Sequence, residues 1–402
     1  MTRAADFIPP PIRPRLFGSE CRPLWLLDPE IHFLNHGSFG AVPRCVLDVQ
    51  SRWRDRIEQR PVELIDRRMP ELLESSLDTA MDFVNGIPEF SGFVVNATSA
   101  INAVVRSLTY APGDTIATTS HVYNAVRKTL QWVARRDGAR YEEIPLPLPV
   151  SSSDDLLERL LDAIPEDTRL LVIDQVSSPT GLVFPIESLL EQLRPRGVQV
   201  LIDGAHAPGM LDVDVRRYLE LGAIAWTGNL HKWCFAPKGC ALLGVHPELA
   251  PKIQPTIISH HAEDAFSRRF QWQGTSDFTS WLSVPDALAF GESTFGWEAL
   301  TDANHRLVTW AHQLLCHSWD VDPVSPLDGS MIGSIATVRL PAPIREHFAD
   351  ASALQAALYE RHRIEVPVMD WGEQWFIRVS AQAYNTPEDY RALAEAVSTL
   401  TR

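Results

Sequence analysis

Between residues 91 and 233 the chain alternates short apolar runs with segments of helical spacing. SGFVV leads into a turn and a helix, and DTIATTS is a strand. HVYNAVRKTLQWVARRDG is a helix ending on Gly138, and YEEIPL a strand. DDLLERLLDAI, TRLLVID, PIESLLEQLRPRG, VQVLID and AIAWT continue the alternation. Strands that are apolar throughout must be covered on both faces, which predicts a mostly parallel sheet between helical layers. In such sheets ligands bind beyond the carboxyl ends of the strands. The polar residues at those ends are therefore the candidates for chemistry.

The flanks differ. A Pro-rich start is followed by IHFLNHGSFGAVP, by a helix from about Arg44 to Glu58, and by another ending near Gly86. Past about Phe290, helical segments alternate with IGSIATVRLP and QWFIRVSAQ, the pattern of a smaller α+β unit. The expected division is an arm and helical segment over 1–75 contributing to the small domain, a large ligand-binding domain over 76–289, and a small domain over 290–402. A chain of 402 residues exceeds what one core usually serves.

With 36 Lys and Arg against 51 Asp and Glu, the net charge is −15, against nucleic-acid binding through bulk charge. No stretch reaches the roughly 18 apolar residues of a spanning helix, and the start lacks the apolar core of a signal peptide. Five cysteines without a CxxC pair disfavour a disulfide framework or structural zinc. A cytoplasmic protein that does not act on membranes is expected. His260-His261 lacks carboxylate or thiol partners at ligand spacing, so no metal site is expected.

At the strand ends, Asn96-Ala97-Thr98-Ser99 opens a helix, an arrangement that suits an anion and equally a plain cap. Gln175 opens a loop rich in Ser and Thr. Asp203 ends a buried strand, where a carboxylate is costly unless a cation or donor meets it. Lys232 follows the last strand among Trp226, Trp233 and Phe235; apolar surroundings lower an amine's pKa toward neutrality. An anion site, a strand-end Asp, a nearby His and an apolar Lys are what pyridoxal phosphate (PLP) requires.

Asp203-Gly204-Ala205-His206, followed by Lys232 within TGNLHKWCFAPKG, resembles the class V aminotransferase superfamily of PLP enzymes, fold type I. LNHGSFGAVP, ATSAINAV, SSPTG, WQGTSD and IRVSAQAYN resemble its isopenicillin N epimerase-like branch. The resemblance implies an internal aldimine on Lys232 and a pyridine-nitrogen partner in Asp203. It implies His206 near the ring and its 3′-oxygen, Gln175 on the ring hydroxyl, and Tyr123 stacked on the ring. Thr98, Ser99, Thr227 and His231 would hold the phosphate, and Gly274 and Thr275 would reach the phosphate in a neighbouring subunit of a homodimer. Arg378 would clamp the substrate α-carboxylate, and Asn35 and His36 would lie on a substrate-side loop.

Four reactions follow from such a site: transamination, desulfuration through a loop cysteine, epimerisation and β-elimination from a cysteine S-conjugate. A decarboxylation-dependent oxidative deamination also occurs in the branch. The stretch from Pro323 to Leu340 holds no Cys, which disfavours loop-cysteine desulfuration. Elimination needs little beyond the carbanion and a good leaving group, and Lys232 is the natural base. A C–S lyase of secondary metabolism is the expected activity, with Tyr123 as a possible second acid.

Overall fold

The computed structural model describes residues 17–371 and 374–401. Its strands, in chain order, are β1 (His32–Phe33), β2 (Ser91–Val94), β3 (Thr115–Thr119), β4 (Arg140–Ile144), β5 (Thr168–Asp174) and β6 (Gln199–Asp203). They continue with β7 (Ala223–Asn229), β8 (Ala241–Val245), β9 (Ile335–Arg339), β10 (Ile364–Glu365), β11 (Val368–Trp371) and β12 (Gln374–Ser380).

Seven strands form one sheet in the order β2-β8-β7-β6-β5-β3-β4. The run from β7 to β4 is parallel, and β8 is antiparallel to both β7 and β2. Alternate residues serve opposite faces. Leu171, Ile173, Val200 and Ile202 enter one core, whereas Leu170, Val172 and Leu201 enter the other. The chain is thus α/β with a large, mostly parallel sheet, as the alternating runs imply.

A second sheet, β11-β12-β9, is antiparallel. Its core joins β9 and β12 to the helices Trp297–Trp319, Ala351–His362 and Pro387–Leu400. The long helix belongs to both cores: Leu300 packs with the large sheet, and Leu307 to Trp319 with the small one. The amino-terminal segment is divided in the same way. Trp25 and Val46 enter the large core, while Leu34 enters the small one and β1 pairs with β10.

Helix Asn124–Asp137 ends on Gly138 in the left-handed conformation, as its sequence suggests. Helix Met69–Phe83 stops earlier than Gly86, and Asn85 takes the positive φ. Among the described residues no helix is long and apolar enough to cross a membrane.

Candidate active site

Asp174 and Asp203 are the last residues of β5 and β6 and stand directly opposite each other in the register. Both are 3% exposed and both line a cleft of about 850 Å³ at the carboxyl edge of the sheet. Burial pushes Asp203 up to about 6, opposed by the Ala205 N–H that donates to its Oδ1 and by Lys232. Burial and then the Asp203 charge push Asp174 well above the usual carboxylate range. Among the described residues none donates to its buried Oδ2.

Lys232 lies in the single helical turn Leu230–Trp233 that follows β7. Its Nζ is 2.9 Å from His206 Nε2. Trp233 Nε1–H donates to His206 Nδ1, so the proton of the neutral ring is on Nε2 and the amine accepts it. That arrangement requires a neutral amine. Burial, and then the charge of Arg378, lower Lys232 to about 7. Burial and Lys232 together hold His206 well below its ordinary value.

Arg378 projects from β12 of the second sheet and is 5% exposed. It donates through Nη1 to the Ser178 carbonyl and hydroxyl, and through Nη2 to Ser38 Oγ at 2.9 Å. Among the described residues its Nε has no partner, and no carboxylate is among its hydrogen-bond contacts. A buried guanidinium without an anion is costly, and its planar fork has the geometry that suits a carboxylate.

At the opposite edge, helix Ala97–Ser107 points its first turn at the cleft. Asn229 Oδ1 accepts from Ala97 N–H, and Asn96 Oδ1 from Ser99 N–H. Thr98 lines the cleft; Ser99 does not. His231 lines it with Nδ1 2.7 Å from the Cys240 carbonyl, and burial lowers its pKa to about 4.

The structure thus brings Lys232, Asp203, His206, Tyr123, Thr98, His231 and Arg378 to one cleft. Other expected site residues lie elsewhere. Gln175 is turned to the opposite face of the sheet, where it donates to Tyr218 OH at 2.9 Å and accepts from Trp226 Nε1 at 3.0 Å. Parity along β5 is the reason: Asp174 faces the cleft, so its neighbour cannot. Thr227 Oγ1 donates to the Leu242 carbonyl inside the sheet. Asn35 and His36 lie behind the cleft wall that Gly37, Ser38 and Phe39 form. Asn35 accepts from Ser38 Oγ and donates to Glu365. His36 is fully buried; its Nδ1 accepts from Tyr384 OH at 2.7 Å and its Nε2 donates to the Lys232 carbonyl at 3.0 Å. Gly274 and Thr275 do not line this chain's cleft, and Thr275 is exposed. His261 pairs with Asp264 on the surface.

Sequence reasoning passed over Asp174 and Ser178. Asp174 ends TRLLVID and Ser178 lies in the SSPTG loop that follows, and the pairing of the two strand ends is the signal that would have found Asp174. Gly40, with φ +58, is explained by closeness: a Cβ there would lie 2.6 Å from the Lys232 carbonyl oxygen. Gly204 likewise leaves room for Trp226, whose Nε1 would lie 2.5 Å from an added Cβ.

The donor set fits PLP. A buried strand-end carboxylate such as Asp203 suits a protonated ring nitrogen, a near-neutral amine suits an aldehyde, and a helix amino terminus suits a phosphate. Fold and cleft together define a PLP-dependent enzyme of fold type I. Residues 73–393 match the model of the aminotransferase class-V family, and the chain belongs to that family. It is 31% identical to isopenicillin N epimerase of Streptomyces clavuligerus, covering 95% of this chain and 98% of that one. It is 30% identical to a probable chloroplastic L-cysteine desulfhydrase of Arabidopsis thaliana, over 93% and 84% of the two chains. Its fold is shared with the apo structure of a cysteine desulfurase from Thermococcus onnurineus NA1, at a TM-score of 0.79, 18% identity and coverage of 96% and 98%. The cystine C–S lyase C-DES is similar at a TM-score of 0.74, 18% identity and coverage of 93% and 98%.

Proposed function

We propose that the protein is a C–S lyase that cleaves an L-cysteine S-conjugate by β-elimination, releasing a thiol and 2-aminoacrylate, which takes up one water to give pyruvate and ammonia. One observation carries this reading: the cleft offers Lys232 as an amine base and no cysteine thiol. Of the five cysteines, four are buried, and Cys45, the exposed one, does not line the cleft. Passing sulfur to the enzyme needs such a thiol; expelling it into solution does not.

Asp203 would hold the ring nitrogen of PLP, Thr98 and the helix amino terminus its phosphate, and Lys232 its aldehyde carbon. When bound, PLP supplies an electron sink that acidifies the substrate Cα–H. Arg378 binds the α-carboxylate bidentately and fixes which bond to Cα is presented to Lys232. The Lys232 amine takes the Cα proton, and the Cβ–S bond then breaks with its electron pair leaving on sulfur. Lys232, now protonated, is the acid available to the departing thiolate. His36 fixes the Lys232 backbone from below, so the amine swings from a rigid base.

The relatives named as cysteine desulfhydrases support a cysteine-derived substrate. Epimerisation is the second reading, favoured by the likeness to isopenicillin N epimerase and by Tyr123, a second acid facing the cleft. Phe39, Val95 and Tyr123 are 74%, 50% and 49% exposed around the cleft mouth, which supports a homodimer that covers them. The free cysteines support a reducing, cytoplasmic setting.

The test is a product assay of the purified enzyme with L-cysteine, S-substituted L-cysteines, and L- and D-amino acids. Equimolar thiol, pyruvate and ammonia are expected. Alanine with enzyme-bound sulfur, carbon dioxide, or inversion without thiol release would each replace the proposal.

A further inference from the structure

Asp174 has no place in the roles assigned above, yet it is as deeply buried as Asp203 and faces the same cleft. The two residues are register partners on adjacent parallel strands, which run about 4.8 Å apart. Two carboxylates so placed in a low-dielectric setting do not both ionise; they share a proton. The hydrogen bonds decide where it goes. Asp203 Oδ1 accepts the Ala205 N–H, which stabilises a charge there. Asp174 Oδ2 is buried with no donor, which leaves a charge there unsupported.

The geometry points to a division of labour: we infer that Asp174 is a neutral acid in the working enzyme and Asp203 carries the single negative charge that meets the ring nitrogen of PLP. Asp174 is then a positioning residue, a proton donor toward the Asp203 side of the cleft. The charged and titratable groups that bear on the pair are Lys232 after β7, His206 after β6, and Arg127 on the helix after β3. Lys232 and Arg127 both favour a charge on Asp174, but Lys232 has His206 as its close partner and Arg127 is engaged by Glu143 at 2.7 Å, and burial with the Asp203 charge outweighs them. The inference stands on PLP use alone and does not depend on which bond of the substrate is cleaved.

Two variants separate a neutral acid from a second charge. Asp174→Asn keeps a donor without charge, whereas Asp174→Leu keeps neither. PLP dissociation constants, measured by equilibrium binding to the full-length protein, should stay within about threefold of wild type for Asp174→Asn and weaken by at least about tenfold for Asp174→Leu. Equal weakening in both variants would show that Asp174 works as a charge and overturns the inference; no weakening in either would also overturn it. Infrared spectra of the holoenzyme give a readout free of binding. A carbonyl stretch of a protonated carboxylic acid, shifted by carbon-13 labelling of aspartate, should be present in wild type and lost in Asp174→Asn. Its absence from wild type, or its survival in Asp174→Asn, contradicts the assignment.

Discussion

A lysine with a pKa of about 7 is half deprotonated at neutral pH, so the Lys232 amine can act as a base where an exposed lysine cannot. Because the shift is downward, the basic form accumulates above pH 7 and is lost below it. Lys232 is a free amine only once substrate has displaced it from the cofactor, so the rate of the proton-transfer step should rise with pH to a plateau just above neutrality, measured as kcat across pH 5.5 to 8.5, on the order of three units around that pKa. Lys232→Ala should lose the borohydride-reducible cofactor linkage and nearly all turnover. Arg378→Lys keeps a charge but loses the fork. It should weaken substrate binding by less than the roughly 2–5 kcal/mol of removing the charge altogether, seen mainly in KM, while the cofactor spectrum stays as in wild type. The sequence exposed these residues because each is an unusual type for its place: a Lys among aromatics, an Asp ending an apolar strand. It did not reveal which of Asp174 and Gln175 faces the cleft. Both faces of β5 are buried, so polarity alternation carries no sign, and only the pairing with β6 decides.

At the scale of elements, the strand ends were readable and the loops behind them were not. The alternation of strand and helix places Asp203 and Lys232 by itself. The loop around NHGSFG reads as substrate-facing, yet His36 and Asn35 face inward, and the small domain supplies the partners that hold them, Tyr384 and Glu365. No local pattern encodes contacts across more than 300 residues of chain. The outcome is a buckle between the two sheets, with Gly40 against the Lys232 backbone at its tightest point. Gly40→Ala forces both a positive φ and an overlap, and it should cost about 1–3 kcal/mol of stability by denaturant titration. Turnover should fall with it, because Lys232 must move.

For the whole molecule, three fully buried histidines outside the cleft lining, His36, His121 and His312, contribute to the response to acid. Burial lowers them to about 3, 4 and 4. The unfolded chain binds protons at these sites from an ordinary value of about 6.5, whereas the folded chain does not. Stability is therefore fully present above pH 6.5 and lost as pH falls toward 4, by up to about 4 kcal/mol per pH unit when all three differ. Melting temperatures across that window should fall steeply, and His312→Leu should flatten the fall.

The cleft mouth, with its exposed Phe39, Val95 and Tyr123, should be covered by a second copy. Sedimentation of the holoenzyme should show a dimer, and an active monomer would exclude shared sites. The reaction itself is decided by turnover of an S-substituted L-cysteine in deuterated water. Thiol, pyruvate and ammonia should appear in equal amounts, and recovered substrate should remain the L-isomer. Recovered substrate of inverted configuration, labelled at Cα and unaccompanied by thiol, would show an epimerase instead of a lyase.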